Sequence, residues 1–149
     1  MSAPETKLTA AHAEVKAEIA RTDTKTGLLL AFVGAVLAGA WTVAKDMSLN
    51  TASLAVGGAG MALLVAAAGL LLRSVRPNLR GRHGFPLWAT LTAEEITAHL
   101  GEDRLSADIA GLSRLAVAKF TGLRRAVDLT CAGGALLIVA ALIVAGGAA

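Results

Sequence analysis

Three stretches of this chain are apolar at every helical angle, whereas the stretches beside them alternate apolar and polar positions. The continuous runs are 27–44, 52–72 and 129–149, and none holds an acid, a lysine, an arginine or a histidine. At ~1.5 Å per helical residue each run reaches roughly 27–32 Å, the thickness of one hydrocarbon core. A soluble domain of 149 residues has no core large enough to hide three helices that are apolar all round. The pattern therefore predicts three membrane spans.

The flanking stretches carry a different period. Leu8, Ala11, His12, Val15, Ile19 and Thr22 form a stripe at three-to-four spacing, while Lys7, Glu14, Glu18, Arg21 and Lys25 fall elsewhere. Neither Gly nor Pro interrupts the chain from residue 8 until Gly27, so one helix is expected over 8–44, its first half a stalk outside the membrane. Ile109, Leu112, Ala116, Phe120, Leu123 and Val127 form a second stripe that runs directly into the third span. Between the second span and this stripe, Pro77, Pro86, Gly81 and Gly84 prevent a regular helix throughout 73–89. Phe85, Leu87 and Trp88, next to a group of arginines, suit a loop at the headgroup boundary. Thr92 and Glu95 have capping-box spacing and open a short helix that Gly101 ends.

The expected fold is thus an all-α membrane protein with three transmembrane helices. The first and third extend into the cytoplasm as amphipathic stalk helices, and one short cytoplasmic helix is added. The expected layout within a single domain (1–149) is a stalk at 1–26, a first span at 27–44, an external turn at 45–51, a second span at 52–72, a cytoplasmic segment at 73–128 and a third span at 129–149.

Charge orients this layout. The net charge is only +3, and charged residues make up 17% of the chain, below the usual quarter. Lys7, Lys16, Arg21 and Lys25 precede the first span, and Arg73, Arg76, Arg80 and Arg82 follow the second. The first turn between spans holds Lys45 beside Asp46. The positive-inside rule then puts the N-terminus and 73–128 in the cytoplasm, and the 45–51 turn and the C-terminus outside. Ala38-Gly39-Ala40 mimics a signal-peptidase site, but the polar stretch before the first span is long and carries Glu5, Glu14, Glu18 and Asp23, so an uncleaved anchor is expected. Cys131 is the single cysteine, which rules out an intramolecular disulfide and reads as a small packing residue. Small residues at Ala31, Ala35 and Gly39, and again at Gly57, Gly58 and Gly60, allow close helix approach.

Catalytic chemistry finds no foothold. His12, His83 and His99 lack ligand spacing, and no metalloprotease, nucleophile-elbow or P-loop motif occurs. No enzyme activity, cofactor, metal or nucleic-acid partner is expected. The ligand-like feature is cationic: Arg73, Arg76, Arg80, Arg82, Arg124 and Arg125 are candidates to grip a phosphate through bidentate, charge-assisted hydrogen bonds. The plainer reading of the same residues is topology and anionic lipid. Asp23, between Arg21 and Lys25 at the start of the first span, is costly near lipid unless paired or hydrated. A bridge from it to a stalk arginine would hold a closed state.

Two runs then resemble a known family. Glu18-Ile-Ala-Arg-Thr-Asp23-Thr-Lys25-Thr-Gly-Leu-Leu-Leu is similar to the start of the Pycsar transmembrane effector domain. Ala110-Gly-Leu-Ser113-Arg-Leu-Ala-Val-Ala-Lys119-Phe120-Thr-Gly-Leu-Arg-Arg-Ala-Val is similar to its second signature, and Phe85-Pro-Leu-Trp88 and Leu91-Thr-Ala-Glu-Glu-Ile match between them. The resemblance covers nearly the whole chain and marks Asp23, Lys25, Lys119 and Phe120 as gating or interface candidates. It implies bacterial antiphage defence: a partner pyrimidine nucleotide cyclase makes cyclic UMP or cyclic CMP, and the effector, expected as a homo-oligomer in the lipid bilayer, disrupts the inner membrane in abortive infection. It carries no nucleotide-binding residues onto this chain. Either 73–128 with the first stalk senses the nucleotide, or another chain does. The rival readings are a scaffold whose stalks dock a partner, and a holin-like toxin that needs no ligand.

Overall fold

The computed structural model describes residues 3–46, 50–76, 85–100 and 105–147. Among these residues it contains helices and turns and no strand. Helix α1 spans Ala3–Asp46, α2 Thr51–Val75, α3 Phe85–Trp88, α4 Ala93–Leu100 and α5 Leu105–Gly147. Three of them, α1, α2 and α5, are long and apolar enough to cross a membrane.

The expected 8–44 helix is longer at both ends. Pro4 falls in its first turn, where the missing N–H has no helical partner to lose. The short helix starts where the capping box places it. The Thr92 N–H donates to Glu95 Oε2 at 2.8 Å, and the Glu95 N–H donates to Thr92 Oγ1 at 3.3 Å. Phe85–Trp88 is a helical turn, α3, rather than irregular loop. It is closed by the Thr90 and Leu91 N–H groups donating to the Leu87 and Trp88 carbonyls. Asn50, which the sequence reading passed over, caps α2: the Ser53 N–H donates to Asn50 Oδ1 at 2.8 Å, the N-cap-to-N3 bond that Asn commonly makes. The Gly101 stop and residues 47–49 of the expected external turn lie outside the described residues.

The chain divides into two compact units. A polar unit comprises 1–21 and 76–118, and a membrane-capable unit comprises 22–75 and 119–149. In the polar unit the expected stripes are covered only in part: Leu8, Ala11, His12, Val15 and Ile19 on α1, and Ile109, Leu112 and Ala116 on α5, are all half-buried. Among the described residues of this unit none is fully buried. Glu18 and Arg21 pair at 3.5 Å on the exposed side of α1, an i,i+3 contact worth a few tenths of a kcal/mol, about 0.2–0.5.

The membrane-capable unit has a true interior. Val33, Leu64, Leu71 and Ala126 form its buried cluster, with Leu29, Leu30, Leu123 and Leu137 packed around them. Helices α2 and α5 run antiparallel: a Cβ on Gly57 would lie 3.5 Å from the Cβ of Ala140, and one on Gly133 would lie 3.0 Å from Leu64 Cγ. At the closest point the two backbones nearly touch. A Cβ on Gly60 would sit 2.9 Å from the Gly133 carbonyl oxygen, and a Cβ on Gly133 would sit 2.9 Å from that of Gly60. Only glycine fits at either position, and contact of this kind replaces the hydrophobic drive that lipid removes.

The Ala31-Ala35-Gly39 stripe is not used in this way. All three residues are exposed, and a Cβ on Gly39 would meet nothing within 4 Å. Within one chain the expected close approach is made by Gly60, one of the small residues expected to allow it, together with Gly133, because α1 turns its Thr26–Val33 side to the interior. Cys131 is likewise exposed, not a packed residue within the chain. Leu28, Phe32, Val65, Leu72, Ile138 and Leu142 all keep more than half their surface open. That is the surface expected of three helices that bury one stripe each and leave the rest to lipid.

Candidate functional site

The described charge pair within the membrane-capable unit joins two helices that are 96 residues apart in sequence. Lys119 on α5 donates from Nζ to both carboxylate oxygens of Asp23 on α1, at 2.6 Å to Oδ1 and 2.8 Å to Oδ2. The lysine side chain is 19% exposed and the aspartate 45%. The lysine therefore lays its methylene stem along the protein and delivers only the ammonium to the carboxylate. The expected bridge from Asp23 to an arginine is not formed; its partner is Lys119. A lysine suits this place because its single flexible head can reach a neighbouring helix from a half-buried stem, whereas a guanidinium brings a bulky planar fork.

Local sequence explains the setting. Thr22 and Thr26, on either side of Asp23 along α1, are 1% exposed. The Thr26 hydroxyl donates to the Thr22 carbonyl at 2.8 Å, and Thr130 on α5 does the same to Ala126 at 2.8 Å. Such back-bonds satisfy a buried hydroxyl inside its own helix, so the interior tolerates it. One to two turns further along α1 begins the apolar cluster of Leu29, Leu30 and Val33. Asp23 and Lys119 thus stand where a hydroxyl-lined layer gives way to a dry one. An ionised acid is tolerated at such a boundary only when paired or hydrated.

The other candidates are distributed as follows. Lys25 is exposed on α1, and Phe120, beside Lys119, is 39% exposed. Arg73 is exposed in the last turn of α2, and Arg124 and Arg125 are exposed on α5. The antiparallel register that sets Gly57 by Ala140 and Leu64 by Gly133 carries Arg73 to the level of Arg124. These three cations therefore share one end of the unit. Arg76 is exposed just beyond α2 and belongs to the polar unit. Arg80, Arg82 and His83 lie outside the described residues. Ser74, which sequence reasoning did not single out, has its Oγ buried without a hydrogen-bond partner. Among the described residues no three of His, Cys, Asp and Glu gather as metal ligands do.

A helical membrane protein with three apolar spans, two of them continuous with polar helical segments, is the class that these features define. The Pycsar effector protein domain matches residues 7–146, and the chain belongs to that family. No curated protein and no solved structure matches it. The family is one of antiphage defence effectors that work with a cyclase, and it is not the cyclase itself.

Proposed function

We propose that this effector sits in the bacterial inner membrane as several copies of the chain, with the N-terminus and the polar unit in the cytoplasm. It answers cyclic UMP or cyclic CMP from its partner cyclase by opening its membrane helices. The loss of the barrier kills the infected cell before phage matures. The observation that carries this reading is the Asp23–Lys119 pair. It clamps α1 to α5 on the two helices that extend unbroken from the polar segments into the apolar spans.

A change in how the polar segments pack would be felt first at this clamp. The clamp is weak enough to be released: a half-exposed pair contributes about 1 kcal/mol or less. The nucleotide shifts the balance only by binding the open arrangement better than the closed one. The arginines at the same end of the unit, Arg73, Arg124 and Arg125, offer phosphate-binding heads that become usable as the helices part.

The test is membrane potential in cells that express the chain with and without the cyclase. Depolarisation only with the cyclase supports the proposal. Depolarisation in both conditions makes the protein a ligand-independent toxin, and none in either makes it a scaffold. Saturable binding of labelled cyclic UMP or cyclic CMP to the detergent-purified chain assigns sensing to this polypeptide; its absence moves sensing to another.

A further inference from the structure

At the end of the membrane-capable unit remote from Arg73 and Arg124 lies a half-open hollow of about 450 Å³. It is bounded by α1 around Gly39–Ala44, α2 around Ser53–Met61 and α5 around Leu137–Val144. We infer that this hollow binds the acyl tail of a membrane lipid.

Three observations lead there. First, every bounding segment falls inside one of the charge-free apolar runs, so the hollow stands at the depth of lipid tails. Second, the wall offers little to water: apart from Ser53, its one polar side-chain group is the indole N–H of Trp41. Ser53 is its one hydroxyl, and that group is spent: Ser53 Oγ donates to the Asn50 carbonyl at 3.0 Å, while the Ser53 N–H donates to Asn50 Oδ1. Apolar cavities of even ~150 Å³ stay dry and take up apolar guests, because a water needs two or more polar partners. Third, the space is made by missing side chains. A Cβ on Gly39 or on Gly58 would meet no atom within 4 Å, and Ala40, Ala44 and Ala140 leave the rest open. Trp41, 63% exposed on the same wall, is of the residue type that anchors at the membrane interface, where a tail would enter. A slender, flexible hydrocarbon chain is the guest that such a dry, small-residue hollow accepts.

The inference does not depend on nucleotide sensing, and its test uses the full chain in vesicles of phosphatidylethanolamine and phosphatidylglycerol. A phospholipid with a photoactivatable group on its acyl chain is the probe, and labelled peptides are mapped by mass spectrometry. Labelling concentrated on 39–44, 53–61 and 137–144 is expected. Gly58→Leu, at a wall position whose Cβ would meet no atom within 4 Å, should cut that labelling by about fivefold, close to 1 kcal/mol of lost affinity. Gly69→Leu, whose Cβ likewise meets no atom within 4 Å but which does not line the hollow, should leave it unchanged. If Gly58→Leu misfolds, Gly39→Leu asks the same question from α1. Even labelling along all exposed faces, or labelling indifferent to both filling variants, overturns the inference. So does a disulfide between copies through Gly58→Cys in a Cys131→Ser background, since a second chain would then occupy the hollow.

Discussion

The two units of this molecule bury their helices in different ways. In the membrane-capable unit, Val33, Leu64 and Ala67 have no exposed surface, and Gly60 and Gly133 bring two backbones together. In the polar unit, the stripes of α1 and α5 reach only half burial, and no described residue is closed off. The first arrangement is held by shape. Lipid gives helices no hydrophobic reason to associate, so close van der Waals contact between small residues must do so. The second is held by amphipathic faces whose cover is incomplete, which places it at the less stable end of the range over which parts of a protein open. Repacking the polar unit is thus cheap, whereas repacking the membrane-capable unit must break close contacts.

The sharpest way to break this contrast is to spoil the glycine contact. Gly60→Ala puts a methyl group 2.9 Å from the Gly133 carbonyl oxygen, and that atom is backbone, so the helices must part. Overpacking of this kind costs about 1–3 kcal/mol. The expected result is a lower unfolding midpoint in detergent, with Gly58→Ala near wild type because its Cβ meets nothing. Equal midpoints for the two variants would mean that α2 and α5 do not meet at Gly60.

The next test is the clamp. Asp23→Asn leaves the Lys119 ammonium half-buried without its carboxylate, at a cost of about 1 kcal/mol or less given the exposure of the pair. Stability should fall little. Basal leakage without cyclase should rise, and the exchanged pair Asp23→Lys with Lys119→Asp should bring it back toward wild type. Leakage in Asp23→Asn equal to wild type would reduce the pair to a topological anchor.

These two tests also mark how far the sequence could be read. The three spans, the long first and last helices and the Thr92–Glu95 cap were legible, because each depends on residues within a turn or two of one another. Asp23 was legible as an acid in need of a partner and Lys119 as a gating or interface candidate, but their pairing was not, since a separation of 96 residues is fixed only when α1 and α5 come together. The glycine contact failed for a related reason. Spans apolar all round do not announce which face turns inward, so Ala31, Ala35 and Gly39 looked as good as Gly60, and Gly133 was passed over. Asn50 ahead of Thr51 carried the ordinary N-cap signal and should have been read.

On the polar side, Thr92→Ala removes one half of the capping box and should destabilise α4 by about 1 kcal/mol. Faster amide exchange is expected over the first turn of α4. Exchange should stay unchanged in α2, whose own cap is Asn50. Acceleration in both helices would show that the two units open together rather than separately.

The smallest effect is expected at Ser74, and it tests whether the resting membrane unit is free of internal cost. Its hydroxyl is buried with no partner, although a helical serine ordinarily donates to a carbonyl one turn back. An unsatisfied buried hydroxyl costs about 1–3 kcal/mol, and Ser74→Ala removes the group while leaving the backbone alone. The replacement should therefore stabilise the protein by about 1 kcal/mol or less once the lost packing of the oxygen is counted, and raise its unfolding midpoint accordingly. If opening gives that hydroxyl a partner, the same variant should also need more cyclase product to depolarise the membrane, because the closed arrangement alone has gained. A raised midpoint with an unchanged response would confine Ser74 to stability. A lowered midpoint would show that the hydroxyl is bonded at rest, through a water at the mouth of the unit beside Arg73.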